Sequence, residues 1–345
     1  MEQTAINILG IETSCDETAA AVVADGRTVK SSVVASQNKL HEKFGGVVPE
    51  IASRAHIEKI YPVISEVIEQ AHITKDQIDA VAIANQPGLA IALMVGVTAA
   101  KTLAFAWQKP LVAINHLHAH IQSAILSQEE LELPAAALIV SGGHTSLYDY
   151  HSPLEPKLLG STIDDAAGEA FDKVATILNL PYPGGPAIER IAKNGNPKAI
   201  DFPRTMLDKA SLDFSFSGIK TAVLYHCRGQ DMKGRNKVGS MTAQEIADIA
   251  ASFQAAVIDV LIAKTRRAVE KINAKTVILG GGVAANSALR EALQKYCDSD
   301  HPCRKLLVAP KQYCTDNAVM VASLAYYKFK AGLFADLTLE PKSHS

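Results

Sequence analysis

The chain has 345 residues, 48% of them hydrophobic and 20% charged, with a formal net charge of −2. That composition excludes a disordered chain, and the length fits two domains of ordinary size rather than one simple core. The near-neutral balance excludes a protein that is basic throughout, although residues 193–237 carry nine Lys or Arg against four Asp. That stretch is a local basic surface open to phosphates or a plain solvated loop.

Taken in chain order, apolar runs predict strands over 6–11, 18–24 and 28–35, the last two joined by the Asp25-Gly26 turn. A helix follows over 56–71, a strand over 79–84, a buried helix over 89–107, a strand over 111–114 and a helix over 116–126. The apolar stretch at 88–100 is shorter than the roughly 20 residues a membrane-spanning helix needs. The pattern then recurs: strands at 135–140, 145–150 and 157–162, helices at 168–178, 186–193, 217–227 and 242–273, and a strand at 276–279. A helix at 284–296, a strand at 306–309 and a helix at 316–331 complete it.

Two halves with one element order predict an α/β protein of two duplicated lobes. The first lobe is expected over 1–127 plus about 317–345, the second over 128–316. Ligands of such folds sit at loops past the carboxyl ends of strands. The five cysteines are odd in number and form no C-x-x-C pair, and the N-terminus lacks a signal-like core. Both features lead to the expectation of a reduced, cytoplasmic chain with no membrane segment.

Candidate chemistry gathers at strand ends. His116 and His120 stand four apart at a helix start, so both imidazoles share one face, the spacing that two nitrogen ligands of a divalent metal need. A surface or capping pair is the plainer alternative. Asp316, at the corresponding junction of the second half, completes a His-His-Asp set that leaves positions open for substrate. It could equally be a helix N-cap within Thr315-Asp316-Asn317. Leu117 stands where a zinc peptidase carries its Glu base, which disfavours a protease.

Ser141-Gly142-Gly143 and Gly280-Gly281-Gly282 each follow an apolar strand, where glycine lets backbone approach phosphate or ribose. Neither is a Walker loop or a dinucleotide fingerprint, and tight turns would explain both. Asn286 could reach a base or ribose. Glu189 could accept from ribose hydroxyls or serve its helix dipole. Asp172 reads first as an exposed helix residue. Glu12, Asp16 and Glu17 share a compact polar turn, as general-base candidates or turn caps.

Nine stretches recur in a characteristic order: 10–18, 45–50, 115–120, 140–145, 168–173, 182–186, 214–220, 280–286 and 314–317. Together, over about residues 8–331, they closely resemble the tRNA threonylcarbamoyladenosine transferases, once labelled O-sialoglycoprotein endopeptidases, of the bacterial type. The resemblance implies an actin/Hsp70-like fold of two duplicated lobes. It implies one divalent metal ion per chain at His116, His120 and Asp316, with Fe2+ ahead of Zn2+. It implies that Ile139, Val140, Ser141, Gly142, Gly143, Asp172, Gly185, Glu189 and Asn286 bind the adenylate part of threonylcarbamoyl-AMP. The implied reaction moves the threonylcarbamoyl group to N6 of adenosine 37 in tRNAs reading codons that begin with A. The implied partners are tRNA, a homologous subunit without the metal and a small ATPase subunit. Loops at 229–237 and 298–304 look like variation within the branch. Arg266, Arg267 and the 193–237 stretch are candidates for tRNA backbone contact. An actin-like ATPase or sugar kinase is the competing enzyme reading. A non-catalytic scaffold subunit is the competing non-enzyme reading, disfavoured by the histidine pair.

Overall fold

The computed structural model describes residues 5–126, 131–206, 210–229, 237–299 and 305–344. Most of the loops expected at 229–237 and 298–304, and Lys209, Lys233 and Arg235 of the basic stretch, lie outside the described residues. The chain divides into two compact units. One holds residues 1–129, 152–155 and 309–345, the other 130–151 and 156–308. Residues 309–316, including Asp316, therefore belong with the first unit, whereas the sequence placed them in the second.

The first unit begins with β1 (Asn7–Glu12), β2 (Glu17–Ala24) and β3 (Thr28–Ser36). The one-turn α1 (Asn38–His41), α2 (Pro49–Gln70), β4 (Ala80–Gln86), α3 (Ala90–Trp107), β5 (Leu111–Asn115) and α4 (His116–Ile125) follow. Its sheet runs β3-β2-β1-β4-β5, antiparallel through the hairpins and parallel from β1 to β5. The second unit contains β6 (Ala135–Val140), β7 (Thr145–Tyr150), β8 (Lys157–Ser161), α5 (Ala167–Ile177) and α6 (Gly184–Ala192). After these come α7 (Ser217–Arg228), α8 (Ala243–Ile272), β9 (Thr276–Gly280), α9 (Ser287–Asp298) and β10 (Lys305–Val308). Its sheet runs β10-β9-β6-β7-β8, the same order read from the other edge. α10 (Ala318–Lys330) returns to the first unit.

Strand alternation explains why the central strands read as unbroken apolar runs: both faces of the first sheet are covered. On one face Ile8, Ala19, Ala21, Ala82 and Ile114 pack against Ala318–Ala325 of α10. On the other, Leu9, Ile11, Ala20, Val22 and Ile83 pack against α2 and α3. The alanines allow α10 to lie close. A Cβ on Gly10 would stand 2.5 Å from the Ala318 carbonyl oxygen, so only glycine fits there.

Two helices depart from the sequence expectation. α2 starts at Pro49, seven residues before the expected 56, because proline at the first helical position forfeits no hydrogen bond. α3 was expected to be wholly buried and is buried on one face only. Ala92, Leu93, Gly96, Val97, Ala100 and Ala104 face the core, while Met94 and Phe105 are exposed. By length and composition alone α3 and α8 could cross a membrane, though 67% of α8's apolar window is buried within the protein.

Candidate metal centre and glycine-lined site

The first site forms where β1, β5 and the lead into α10 end together. α4 starts at His116 because Asn115 caps it, its side chain accepting from Leu117 N at 2.9 Å and His118 N at 3.2 Å. One turn later His120 falls on the same face. α10 is capped by Asn317, whose side chain accepts from Met320 N at 3.1 Å. Asn317 thus takes the capping role that the sequence left open for Asp316, and the Asp316 carboxylate is free to turn toward the histidines.

Asp316 Oδ1 lies 3.4 Å from His116 Nε2 and 3.2 Å from His120 Nε2. One donor atom from each of the three residues falls within 4.8 Å of the others. Two ligands about 2.1 Å from a shared ion at a tetrahedral angle stand roughly 3.4 Å apart, so the distances from Asp316 to both histidines match those around a divalent metal. His120 is fully buried and His116 nearly so. Burial alone would depress both imidazoles. At His116 the carboxylates of Glu12 and Asp316 outweigh it and hold the ring well above its ordinary pKa. At His120 burial wins over the Asp316 hydrogen bond and the pKa falls. Burial would raise Asp316, but the paired imidazoles hold it far below the usual carboxylate range. His118 sits half-buried on the same helix, its pKa pushed down to about 4 by burial and by Lys328.

Behind His116 sits a residue for which the sequence left two roles open. Glu12, fully buried at the end of β1, places Oε2 2.9 Å from His116 Nδ1 and accepts from Ser14 N through Oε1 at 2.5 Å. Ser14 Oγ lies 3.1 Å from the same Nδ1. The sequence offered Glu12 as a general base or a turn cap. Its contact with Ser14 N is of the second kind, and its other oxygen orients the imidazole so that Nε2 faces Asp316, an arrangement that metal-binding histidines favour. The clue available in sequence was its position at a strand's carboxyl end. Of its two companions, Asp16 is raised by burial and by Asp316. Glu17 is pushed up to about 8 by burial and by Asp16, although Ser36 donates to it at 2.9 Å.

The second unit assembles the glycine-lined residues. β6 and β9 pair in parallel, so Ile139 stands beside Gly280. Gly281 has φ +88° and packs against the Val140 backbone, a conformation and a closeness that suit only glycine. Ser141-Gly142 abuts Gly168 at the start of α5. Gly142, Gly143, Gly185 and Gly282 each have open space where a side chain would stand. Asp172, read first as an exposed helix residue, is partly buried and accepts from Gly184 N, at the start of α6, at 2.7 Å. Glu189 accepts from Ser287 N, opening α9, at 3.0 Å, so it serves that helix rather than its own. Asn286 is buried, caps α9 through Leu289 N at 3.0 Å, and donates to Gln254 at 2.8 Å.

The arginines singled out for tRNA both have partners within the chain. Arg266 pairs with Glu270 at 2.9 Å, and Arg267 lies 3.4 Å from the Met206 carbonyl oxygen. Buried Lys264 donates to the Met206 and Ser211 carbonyls at 2.7 Å each, so this face of α8 holds those two residues.

Two units built on one strand order define a fold of the actin/Hsp70/sugar-kinase class. Solved structures with this fold include HypF from T. kodakarensis, at TM-score 0.62 and 15% identity over 98% of this chain and 49% of that one. Component A of (R)-2-hydroxyglutaryl-CoA dehydratase from Acidaminococcus fermentans gives 0.52 at 17% identity, covering 94% and 98% of the two chains. The ROK hexokinase of Thermus thermophilus gives 0.50 at 16%, covering 95% and 100%. At these identities the likeness is one of fold alone. The family model of tRNA N6-adenosine threonylcarbamoyltransferase matches residues 28–323. Proteins of that name from Moorella thermoacetica and Rhodopirellula baltica are each 50% identical, covering 97% and 96% of this chain and 96% and 95% of theirs. The protein of that name from Syntrophobacter fumaroxidans is 51% identical over 95% of both chains. The chain belongs to the tRNA N6-adenosine threonylcarbamoyltransferase family and is a transferase.

Proposed function

We propose that this chain moves the threonylcarbamoyl group from threonylcarbamoyl-AMP to N6 of adenosine 37 in tRNAs that read codons beginning with A. His116, His120 and Asp316 hold one divalent ion in this reading, Fe2+ ahead of Zn2+. The observation that carries it is the convergence of two imidazoles and one ionised carboxylate on one point, with Glu12 behind His116. Two imidazoles and a carboxylate suit either ion.

A bound divalent ion supplies Lewis-acid polarisation or a hold on a carboxylate. The chain's own residues do the rest. Glu12 keeps the His116 Nδ1 proton, which leaves Nε2 as the donor. In this reading Ile139–Gly143, Gly185 and Asn286 take the adenylate, with open space at Gly142, Gly143 and Gly185, and Asp172 and Glu189 brace the starts of α6 and α9. The amine of adenosine attacks the carbamoyl carbon, a new C–N bond forms, and the bond from that carbon to the phosphate oxygen breaks, releasing AMP, while the proton that the amine loses passes to the departing phosphate or to water. An aromatic amine is a poor nucleophile, so positioning carries much of the acceleration.

The same reading gives the enzyme a homologous subunit lacking the histidine pair and a small ATPase as partners, in the cytoplasm where tRNA is modified. Exposed Ile57 and Tyr61 on α2 and Met94 and Phe105 on α3 are the kind of apolar surface a partner covers. The kinase reading rests on fold likeness alone and has no counterpart for two buried histidines sharing a carboxylate. The test is reconstitution of the chain and its partners with threonylcarbamoyl-AMP and unmodified tRNA, followed by nucleoside mass analysis. Appearance of the threonylcarbamoyl nucleoside at position 37 is expected, and its absence from a folded, metal-loaded sample overturns the reading.

A further inference from the structure

Two fully buried histidines, His41 and His56, and the 45–50 stretch take no part in either site described above. They are nevertheless joined by a line of hydrogen bonds to the backbone turn beside the first. Val48 N–H, at the lead into α2, donates to His41 Nδ1 at 3.3 Å. His41 Nε2 meets Gln37 Oε1 at 3.3 Å, and Gln37 Nε2 meets His56 Nδ1 at 3.4 Å. His56 Nε2 meets the Cys15 carbonyl oxygen at 3.0 Å.

Chemistry sets the direction of every link. A carbonyl oxygen only accepts, so His56 Nε2 carries the proton and Nδ1 the lone pair. Thr18 Oγ1, 2.8 Å away, and Gln37 Nε2 then both donate to Nδ1. Val48 N–H only donates, so His41 Nδ1 accepts and its Nε2 donates to Gln37. Gln37 and Thr18 are also buried, and burial depresses the His56 pKa, which keeps the ring neutral as the line requires. The preceding carbonyl, that of Ser14, accepts from Leu89 N at 2.8 Å at the lead into α3. Two successive carbonyls of the Thr13–Asp16 turn are thus held from two different helices. That turn carries Ser14 and follows Glu12, the two residues that meet His116 Nδ1.

We propose that His56 is a positioning residue for the His116 ligand: it fixes the Cys15 carbonyl and with it the turn that presents Glu12 and Ser14. Through Gln37 and His41 the 42–48 segment becomes part of the same support, which gives the 45–50 motif a role. The proposal rests on the metal reading of the preceding subsection.

The test uses the full chain with Co2+ alone as probe, because its visible spectrum reports ligand geometry independently of catalysis. His56→Ala, folded by circular dichroism, is expected to bind Co2+ about tenfold more weakly with an altered spectrum, the low end for partners behind a metal ligand. His56→Gln, which restores a donor for the Cys15 carbonyl, is expected between the two. An affinity within twofold of the parent together with an unchanged spectrum overturns the proposal. Should His56→Ala fail to fold, Thr18→Val combined with Gln37→Leu keeps the ring but removes both donors to Nδ1. The same tenfold loss then supports the proposal and an unchanged affinity overturns it. A parent protein that binds no Co2+ sinks the metal reading itself, and this proposal with it.

Discussion

Glu12 Oε2 stands 2.9 Å from His116 Nδ1, both side chains buried, across 104 residues of chain. The pair makes His116 a directed imidazole rather than a free one, because the ring can turn only by breaking a charged hydrogen bond in the interior. Glu12→Gln keeps the shape and removes the charge. Its affinity for Zn2+, measured by competition with a chromophoric chelator, is expected to fall about 10- to 100-fold while the fold persists. Unchanged affinity would show that His116 needs no orienting partner.

Gly10 and Ala318 make a second long-range pair. A methyl group at residue 10 would press on the Ala318 carbonyl and the Ala322 backbone, and no flexible side chain can yield there. Gly10→Ala is expected to cost about 1–3 kcal/mol by overpacking, read as a lowered thermal midpoint. Because α10 begins two residues after Asp316, metal affinity is expected to fall as well. A variant with the parent's midpoint and affinity would contradict this packing.

Gly185 lies in helix α6 with no neighbouring atom within reach of an added methyl. Alanine is the better helix former, so Gly185→Ala is expected to keep or raise the thermal midpoint. If the adenylate lies beside it, KM for threonylcarbamoyl-AMP rises, by roughly tenfold or about 1.4 kcal/mol, while stability holds. Unchanged kinetics would place the adenylate elsewhere.

Glu17 supplies a pH test. Burial and neighbouring Asp16 push it up to about 8 from an ordinary 4.5. The folded protein therefore keeps a proton that the unfolded chain releases near pH 4.5. Its contribution to stability is full below about pH 4.5, declines as pH rises, and is lost through about pH 8. Glu17→Gln is expected to raise the thermal midpoint relative to the parent at pH 8.5 and to leave it nearly unchanged at pH 4.5. An equal difference at both values would show that Glu17 titrates normally.

Much of this was legible in the sequence because it is local. Alternating apolar runs marked the strands, the repeated order marked the two sheets, and the spacing of His116 and His120 put both on one helical face. What stayed hidden depends on contacts between distant residues. Whether Asp316 or Asn317 caps α10 is decided by where the histidines lie, which no local pattern states. Glu12 read as a possible base or a turn cap, because a carboxylate on a turn does not reveal that an imidazole 104 residues on will cover it. Asp172 and Glu189 looked like residues of their own helices, yet each serves the first turn of another. α3 read as wholly buried because its outer face is apolar too, and sequence does not say whether such a face is covered.

The central claim is that His116, His120 and Asp316 share one ion that the transfer reaction needs. Metal stoichiometry, measured by plasma mass spectrometry alongside threonylcarbamoyl transfer to unmodified tRNA, tests it on the parent and on His116→Ala, His120→Ala and Asp316→Ala. The expected result is about one divalent ion per parent chain, little in each variant, and transfer lowered at least a hundredfold in step with the metal. Full transfer by parent protein stripped of metal, or variants that keep both ion and activity, would contradict the account.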